Sequence, residues 1–309
     1  MYFFIVNPHC QSGRGKRIWG ILEHVLKREN IEYESYLTER PGDARKFARK
    51  LTRCCQEPRV IVTVGGDGTM NEVLDGLLPG PMITLGYIPA GSGNDLGRSL
   101  GFSRRQVRCL RRILFSPTIR LLDYGVLTIG DKGEHRRFMV SSGIGMDAEV
   151  CCMVRENSDP SLLKKMRLGR LEYAAAGLML LRKTRPVKGY VILDRVKKIE
   201  FNHIFFISAH IHPFEGGGFC LAPDASGSDG KLRVCVVSNE RRRRILRMLI
   251  SIFLKRRKKR RKGIRVYECR EALFHLDRPA AVHADGEDCG DQKKLCFEAV
   301  SGQLRVKKI

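Results

Sequence analysis

A glycine-rich turn between a strand-like run and a helix-like run most constrains how this chain can fold. Residues 59–64 are typical of a buried strand, residues 70–78 favour a helix, and the two are joined by Gly65, Gly66, Asp67, Gly68 and Thr69. Backbone N–H groups approach a phosphate closely only where no Cβ intervenes, so glycines at a helix start favour a phosphate site. Thr69 is expected to cap the helix and to offer a hydroxyl. An ordinary glycine-rich turn, with Asp67 as a solvated cap, is the alternative that these five residues leave open.

Asp67 is an unusual neighbour for a phosphate group, because two anions in contact repel each other. A metal ion or a Lys between them screens that repulsion, and Mg²⁺ is bound in proteins mainly through carboxylates and the phosphate oxygens of substrates. If the turn binds phosphate, we therefore expect Mg²⁺ beside Asp67.

The first third of the chain alternates between strand-like and helix-like periods. Apolar residues recur at helical spacing in residues 18–26, 44–51 and 70–78. Strand-like runs flank these stretches at residues 2–6, 31–37, 60–64 and 82–88. Strands that alternate with helices predict a parallel α/β sheet, which binds its ligands at the carboxyl ends of the strands.

From about residue 120 onwards the pattern is mostly that of strands joined by turns. The strand-like runs are residues 121–129, 138–142, 189–193, 203–210, 232–237, 264–276 and 295–300. Helix-like stretches interrupt them at residues 161–182 and 241–262. We therefore predict a parallel α/β nucleotide-binding domain over residues 1–120, followed by a mostly antiparallel β-sandwich domain with inserted helices over residues 121–309.

Three further polar loops follow the other predicted strands of the first domain. They contain Asn7, Ser12 and Gly13 after the first strand, Thr38 after the second, and Gly91, Ser92, Asn94 and Asp95 after the fourth. The carboxyl ends of parallel strands meet at one edge of a sheet, so we expect these loops to lie beside the turn at residues 65–69. Neither the P-loop pattern nor the dinucleotide-binding glycine spacing occurs here, so the site differs from both.

Together these loops resemble the catalytic domain of the diacylglycerol kinase superfamily, which includes bacterial lipid kinases, sphingosine kinases and ceramide kinases. The resemblance lies in residues 65–69 with Asn71 and Glu72, and in residues 89–98. Downstream segments recur in the family's order, at residues 143–148, 215–219, 222–225, 229–232 and 285–287. The resemblance therefore covers nearly the whole chain.

The resemblance implies a lipid kinase that uses ATP and Mg²⁺. It implies that Asp285 is the general base that accepts the proton of the lipid hydroxyl, with Glu287 assisting it or binding the catalytic Mg²⁺. It also places Asp229, with a backbone carbonyl such as that of Leu232, in a second, structural Mg²⁺ site. The implied ATP-binding residues are Asn7, Ser12, Gly13, Thr38, Gly65, Gly66, Asp67, Gly68, Thr69, Glu72, Gly91, Ser92, Asn94 and Asp95.

The local sequence leaves some of these roles open. Asp285 and Gly286 form a dipeptide common in hairpin turns, and the residues alone favour that interpretation. Phosphoryl transfer nevertheless asks mainly for alignment, charge neutralisation and one base, which a carboxylate can supply. Ser228 stands where many members of the family carry an Asp, so the structural Mg²⁺ site has lost a ligand. Residues 9–11 also stand where many relatives have a single residue, which puts the phosphate contacts of that loop in doubt.

The chain carries 57 basic and 33 acidic residues, a surplus of 24 positive charges that predicts an anionic partner. Residues 241–262 hold nine Arg, four Lys and no acidic residue. Between the basic ends of this stretch lies an apolar segment too short to span a bilayer, so we predict that it binds an anionic membrane surface. The alternative is a helix packed on the second domain with solvated basic ends.

Eleven cysteines without a C-x-x-C spacing or a secretory signal indicate reduced thiols, so we expect a cytoplasmic protein. From the basic stretch at residues 241–262, we expect it to be peripheral at the inner face of the membrane. Diacylglycerol is the default substrate, while sphingoid bases, phosphatidylglycerol and polyprenols stay open. An NAD kinase, whose family shares the glycine turn, is a second enzyme interpretation. A basic nucleic-acid-binding protein is the non-enzyme alternative, but the cationic run has no aromatic stacking platform, so we expect no nucleic acid. The oligomeric state, including a homodimer, is left open.

Overall fold

Residues 1–103, 105–130, 133–156, 169–254 and 263–308 are described by the computed structural model. The chain divides into two units, unit 1 with Met1–Asp123 and Gly302–Ile309, and unit 2 with Tyr124–Ser301. Unit 1 is α/β with a parallel sheet and unit 2 is mostly antiparallel β, which confirms the predicted fold class. The predicted division at residue 120 assigns residues 121–309 to the second domain. In the structure the last residues of the chain, from Gly302 onwards, belong to unit 1 instead.

Unit 1 is built on parallel strands, namely β1 (Tyr2–Val6), β2 (Tyr33–Leu37), β3 (Arg59–Gly65) and β4 (Ile83–Pro89). Their order in space is β2, β1, β3, β4. Val6 lies opposite both Leu37 and Val64, and Val64 lies opposite Ile88. The strands therefore end level with one another, and the loops that follow them share one edge of the sheet.

The connections of unit 1 contain the helices α1 (Cys10–Arg28), α2 (Asp43–Thr52), α3 (Asp67–Gly76), α4 (Asp95–Ser99) and α5 (Gln106–Phe115). Helices α1 and α5 contact each other. Leu22 of α1 and Ile113 of α5 belong to one buried cluster with alternate strand residues such as Phe4 and Val62. The period of two along the strands places these residues on the same face of the sheet, which the two helices cover.

The last strand, β15 (Glu287–Lys307), begins in unit 2 and ends in unit 1. In unit 1 its Val306 pairs in parallel with Leu85 of β4. The Gly302 N–H donates to the Asp123 carboxylate at 2.7 Å, which fixes the point where the strand enters this unit. Periodicity shows that a segment is a strand but not which sheet it joins, so the sequence assigned the C-terminus to the second domain.

Unit 2 is an antiparallel sandwich. Its other strands are β5 (Ile119–Ile129), which begins in unit 1, β6 (Glu134–Phe138), β7 (Ser141–Gly145), β8 (Val187–Leu193), β9 (Lys197–His210), β10 (Phe214–Glu215), β11 (Phe219–Cys220), β12 (Leu232–Ser238), β13 (Arg265–Cys269) and β14 (Glu271–Ala284). The long strands β9 and β14 each pair with β8 along one half and with β7 along the other. Strand β12 pairs with β9 and β13, and β15 pairs with β14. Inward-facing side chains such as Phe138, Phe274 and Phe297 form one core.

Helices α6 (Met146–Glu156), α7 (Gly169–Lys183) and α8 (Arg242–Phe253) complete unit 2. Leu180 of α7 and Met248 of α8 share a buried cluster with Phe205 of β9. Helices α7 and α8 occupy parts of the helix-like stretches 161–182 and 241–262, of which residues 161–168 and 255–262 lie outside the described residues. Among the helices of the described part of the chain, none is long and apolar enough to cross a bilayer.

Candidate active site

The loop after β1 enters α1 through a kink. Gln11, Ser12 and Gly13 have left-handed φ values of 50°, 59° and 89°, so the regular helix begins after them. The Nε2 atom of Gln11 donates to the Gly91 carbonyl at 2.5 Å, which ties this loop to the loop after β4. The additional residues 9–11 therefore supply a contact between two of the predicted ATP-binding loops, and Gln11 is a residue that sequence reasoning missed.

The glycine turn after β3 meets the loop after β4 where neither has a side chain. A Cβ on Gly91 would lie 2.4 Å from the Cα of Gly66, closer than such atoms can approach. The Ala90 N–H donates to the Gly65 carbonyl at 2.7 Å and holds the two loops together. Asn94, at a left-handed φ of 52°, accepts the Gly91 N–H on Oδ1 at 2.9 Å. The ends of two adjacent strands thus present bare backbone, as a phosphate site requires.

Thr69 does not cap α3 as the sequence predicts. The helix begins at Asp67, after an extended Gly66, so Thr69 lies within the first turn. Its Oγ1 accepts a hydrogen bond from Nδ2 of Asn7 at 3.1 Å. The hydroxyl therefore joins the loop after β1 to the start of α3, and it brings two of the predicted ATP-binding residues together.

The carboxylate of Asp67 caps α4. It accepts the backbone N–H groups of Asp95 at 3.0 Å and of Leu96 at 3.3 Å. N–H groups in the first turn of a helix have no partner within the helix, and their dipoles stabilise a negative charge. Capping of α4 therefore explains why an Asp stands at position 67, without a cation beside it. The presence of Asp67 is then no longer, by itself, an argument for Mg²⁺.

Tyr87 is a further buried residue of this site. Its hydroxyl lies 3.4 Å from Oδ1 of Asn94. Burial, followed by the negative charges of Asp67 and Asp95, raises the pKa of Tyr87 well above its ordinary value, so the phenol keeps its proton. No sequence signal singles out this residue, because β4 is buried along its whole length and shows no alternation.

The remaining predicted ATP-binding residues lie along the same edge of the sheet. Thr38 follows the edge strand β2, and its N–H donates to the Val6 carbonyl at 2.9 Å. Glu72 lies on α3, and Ser92 is an exposed residue of the loop after β4. Two strand spacings of about 4.8 Å separate β2 from β3, so Thr38 stands roughly 10 Å from the glycine turn. Thr38 is thus on the predicted edge but apart from the residues that contact one another.

In unit 2, Asp285 and Gly286 form the two-residue turn between β14 and β15. Both have positive φ values, 47° and 82°, and Ala284 pairs with Glu287 on either side of them. Turns with two left-handed residues match the twist of antiparallel strands, which is why Asp-Gly is favoured there. The hairpin interpretation of this dipeptide is confirmed, and the turn fixes where the Asp285 side chain leaves the backbone.

The Asp285 carboxylate is held by successive backbone amides of the segment that joins β6 to β7 and of the first residue of β7. It accepts the N–H groups of Met139 at 2.5 Å, Val140 at 2.8 Å and Ser141 at 2.9 Å. Three donors fix the orientation of the carboxylate and stabilise its negative charge. The fold therefore sets both the position and the charge of this carboxylate.

His283 lies directly behind this turn and is 2% exposed. The Gly286 N–H donates to its Nδ1 at 3.1 Å, and its Nε2 lies 3.2 Å from Oδ2 of Asp147. Gly143 leaves room for this pair, because a Cβ there would lie 1.9 Å from Oδ2 of Asp147. His283 therefore braces the turn that carries Asp285. Sequence reasoning missed this residue.

A second cluster of polar side chains lies around Glu215. Its Oε2 accepts the Ser208 hydroxyl at 3.1 Å and lies 3.6 Å from Nε2 of His210. Burial and then the charge of Asp147 raise the pKa of Glu215 to about 8. Burial lowers the pKa of His210 to about 4. Both side chains are therefore uncharged at neutral pH, which is how two titratable groups can share an apolar interior.

Replacing Glu215 by Gln is expected to flatten the pH dependence of stability. A carboxyl whose pKa is about 8 when folded and ordinary when unfolded contributes stability below about pH 4.5. That contribution is lost as the pH rises to about 8, at about 1.4 kcal/mol for each unit. From pH 5.5 to 7.5, urea unfolding should show the parent losing about 2 kcal/mol relative to Glu215→Gln. Parallel curves for the two proteins would contradict the prediction.

The residues predicted to hold a structural Mg²⁺ do not fit that ion. Oδ2 of Asp229 accepts from Nη2 of Arg233 at 2.8 Å, and Oδ1 accepts the Lys231 N–H at 3.1 Å. Leu232 is fully buried and pairs with Cys269 across β12 and β13. Mg²⁺ is bound by oxygen ligands whose negative charge it neutralises, whereas at Asp229 a guanidinium already balances that charge.

Comparison with known proteins places the chain among lipid kinases. Residues 1–126 match the profile of the diacylglycerol kinase catalytic domain, and residues 140–307 match that of the YegS C-terminal NAD kinase beta sandwich-like domain. YtlR of Bacillus subtilis (strain 168), named a candidate lipid kinase, is 30% identical over 295 residues, 94% of each chain. A diacylglycerol kinase of the same organism is 31% identical over 236 residues, 75% of this chain and 72% of that protein.

Two solved structures have a fold similar to that of this chain. A crystal structure of a candidate diacylglycerol kinase from Bacillus anthracis str. Sterne has a TM-score of 0.77 at 21% identity, over 99% of this chain and 94% of that one. An NAD kinase from Archaeoglobus fulgidus, solved with ATP, has a TM-score of 0.52 at 15% identity, over 100% and 94%. These two likenesses show the fold alone. From the two matching profiles and the 30% identity over nearly its full length, the chain belongs to the diacylglycerol kinase family and is an enzyme, a lipid kinase.

Proposed function

We propose that this lipid kinase transfers the γ-phosphate of ATP to the hydroxyl group of a membrane lipid, diacylglycerol. The observation that carries the proposal is the contact between Gly66 and Gly91, which leaves bare backbone at the ends of two adjacent strands. Backbone N–H groups at such a strand-to-helix turn bind phosphate oxygens. Diacylglycerol is the acceptor that the names of several relatives favour.

ATP would enter unit 1 together with its Mg²⁺, which neutralises the phosphate charges as part of the substrate. The backbone of residues 65–69 and 91–92 would face the phosphates. The pair formed by Asn7 and Thr69 would hold the neighbouring loop in place, and Asn94 would do the same for Gly91. Thr38, farther along the edge of the sheet, would contact another part of the nucleotide.

Asp285 would accept the proton of the lipid hydroxyl as the phosphoryl group is transferred. The transition state of such a transfer is loose, so the attacking oxygen needs alignment more than a strong base. The three amides that hold the Asp285 carboxylate supply that alignment, and His283 braces the turn from behind. Glu287, the first residue of β15, would assist the base or bind the catalytic Mg²⁺.

The acceptor is tested by offering the enzyme labelled ATP, Mg²⁺ and one acceptor at a time. Vesicles would contain diacylglycerol, phosphatidylglycerol, a polyprenol or a sphingoid base, and a separate tube would contain NAD without lipid. We expect label in phosphatidic acid and none on NAD. Label on a different lipid alone would replace diacylglycerol as the substrate, and label on NAD alone would overturn the proposed reaction.

We also propose that α8 binds the anionic surface of the membrane at its inner, cytoplasmic face. One side of the helix is exposed and mixes charge with large apolar residues at helical spacing, namely Arg243, Arg247 and Ile250, with Leu254 at the C-cap. Ile250 is 49% exposed and Leu254 is 58% exposed. A helix with basic and large apolar residues on one exposed side suits the boundary between headgroups and acyl chains.

Not every cation of residues 241–262 is available for that surface. Arg242 donates to the Leu181 carbonyl at 2.6 Å and to the Thr184 carbonyl at 3.2 Å, so it completes the end of α7. Arg244 pairs with Glu240 at 2.8 Å. The basic residues 255–262 lie outside the described residues. Arg243 and Arg247 are therefore the positions at which the structure supports a test.

Replacing Arg243 and Arg247 together by Gln is expected to weaken binding to vesicles of anionic phospholipid by about 10-fold, since each such charge contributes at most ~1 kcal/mol. Vesicle co-sedimentation measures the effect, with neutral phosphatidylcholine vesicles for comparison. Arg49 and Lys50, exposed on α2, provide a matched control pair when both become Gln. Equal losses from the two pairs, or binding that ignores vesicle charge, would refute the assignment of this surface to α8.

A further inference from the structure

Four charged side chains in unit 2 link the loop before β12 to strand β13. Arg233 of β12 lies at the centre, with Nη2 2.8 Å from Oδ2 of Asp229 and 3.2 Å from Oε2 of Glu268. The ammonium group of Lys231 contacts the other oxygen of Glu268. Two positive and two negative groups therefore balance one another within a single cluster.

The cluster is ordered by the fold rather than formed by chance at the surface. Arg233 and Glu268 are register partners across β12 and β13. The Arg233 side chain is 10% exposed, while those of Asp229 and Glu268 are 31% and 47% exposed, so the guanidinium is shielded from water more than its partners. Lys231 and then Arg233 lower the pKa of Glu268, which keeps that carboxyl ionised. A shielded, correctly oriented guanidinium–carboxylate pair is the geometry in which an ion pair contributes to stability.

We infer that the guanidinium of Arg233 takes the place of a divalent cation in this loop, so that the loop neither binds a metal ion nor needs one. The family resemblance implies a structural Mg²⁺ at Asp229, yet Nη2 of Arg233 already lies 2.8 Å from Oδ2 of this carboxylate and supplies the positive charge there. A cation at Asp229 would have to displace Arg233 and leave a nearly buried guanidinium without its partner, which is strongly unfavourable.

This inference stands whether or not the proposed reaction is correct, because it concerns the stability of unit 2. If ATP is the phosphate donor, however, it has a kinetic consequence. Mg²⁺ would then be required only as the partner of ATP, and the rate at a fixed concentration of the Mg²⁺·ATP complex would not rise with further free Mg²⁺.

The first test measures the thermal unfolding midpoint of the full chain, without nucleotide, in EDTA and in millimolar Mg²⁺. We expect the two midpoints to agree within about 1 °C, because a metal ion that does not bind the folded state cannot stabilise it. A midpoint that falls by several degrees in EDTA and is restored by Mg²⁺ would overturn the inference.

The second test replaces Arg233. Arg233→Gln should lower the midpoint by about 5 °C, because it leaves a partly buried carboxylate without its cation. Arg195→Gln is the matched control, since Arg195 also pairs with a carboxylate, Glu271, at 2.9 Å but its side chain is 84% exposed. We expect the control to shift the midpoint by less than about 1 °C. Equal shifts in the two variants would contradict a central role for Arg233.

The third test asks whether a cation can replace the guanidinium. Arg233→Asp would remove the guanidinium and add a third carboxylate beside those of Asp229 and Glu268, so we expect Mg²⁺ or Ca²⁺ to raise its midpoint by several degrees while leaving the parent unchanged. Indifference of this variant to both ions would overturn the idea that Arg233 occupies a cation's place. If the Arg233 variants do not fold, Mn²⁺ binding without nucleotide decides: Asp229→Asn should bind as much Mn²⁺ as the parent, and a loss of one equivalent would refute the inference.

Discussion

Replacing Asp285 by Asn is expected to lower the kcat of lipid phosphorylation by about 1000-fold, the usual contribution of a positioned general base. The amide cannot take up the hydroxyl proton. In addition, one end of the side chain would become a donor and could no longer accept all three N–H groups of Met139, Val140 and Ser141. Initial rates of phosphate transfer to diacylglycerol vesicles at saturating ATP measure the effect.

Two controls separate lost chemistry from lost structure. Asp288→Asn changes an exposed carboxylate in the same hairpin, whose Oδ1 accepts the Gly290 N–H at 2.9 Å, and should keep kcat within about 2-fold. The affinity of Asp285→Asn for ATP should equal that of the parent, since the proposed nucleotide site lies in unit 1. A kcat of the Asp285 variant within 10-fold of the parent would show that Asp285 is not the base.

Replacing Gly91 by Ala is expected to weaken ATP binding by about 10- to 100-fold. The new Cβ would lie 2.4 Å from the Cα of Gly66, so the two loops must separate. Overpacking of this kind costs about 1–3 kcal/mol, and each 1.4 kcal/mol corresponds to about 10-fold in a dissociation constant. The separation would also move the backbone N–H groups away from the phosphates. Isothermal titration with ATP and Mg²⁺ measures the change directly.

Gly20→Ala provides the matched control for this variant. Gly20 lies on α1, and a Cβ there would meet nothing within 4 Å, so the same substitution should leave ATP binding unchanged. The prediction also distinguishes the phosphate interpretation from an ordinary turn. If Gly91→Ala lowers stability but binds ATP like the parent, the close approach of the loops serves packing alone.

The fold of unit 1 could be predicted closely because its signals are local. Strand-like runs alternate with helical faces, and parallel strands with level ends necessarily bring their loops to one edge. The turn at Asp285 was equally local, since an Asp-Gly pair between strand-like runs favours two left-handed residues.

The interactions that fix the side chains could not be predicted, because they join residues far apart in the sequence. The three amides at residues 139–141 reach Asp285 only once β7 and β14 have paired. The role of Asp67 depends on where α4 begins, and that of Thr69 on where α3 begins. Burial also depends on residues that are far apart in the sequence. For this reason nothing near Glu215 in the sequence indicates that its carboxyl keeps a proton at neutral pH.

Strand β15 imposes an order on how a newly made chain can reach its native state. Residues 124–301 are continuous, so unit 2 has all of its strands once residue 301 has left the ribosome. Most of unit 1 is synthesised first, up to Asp123. Its strand β4 pairs with Val306, and the Ser116 carbonyl accepts from the ammonium group of Lys307, so both contacts must wait for residues made some 180 positions later. The half of the protein that is synthesised earliest is therefore the half that is completed last, and until then it exposes an unpaired strand edge of the kind that recruits other chains.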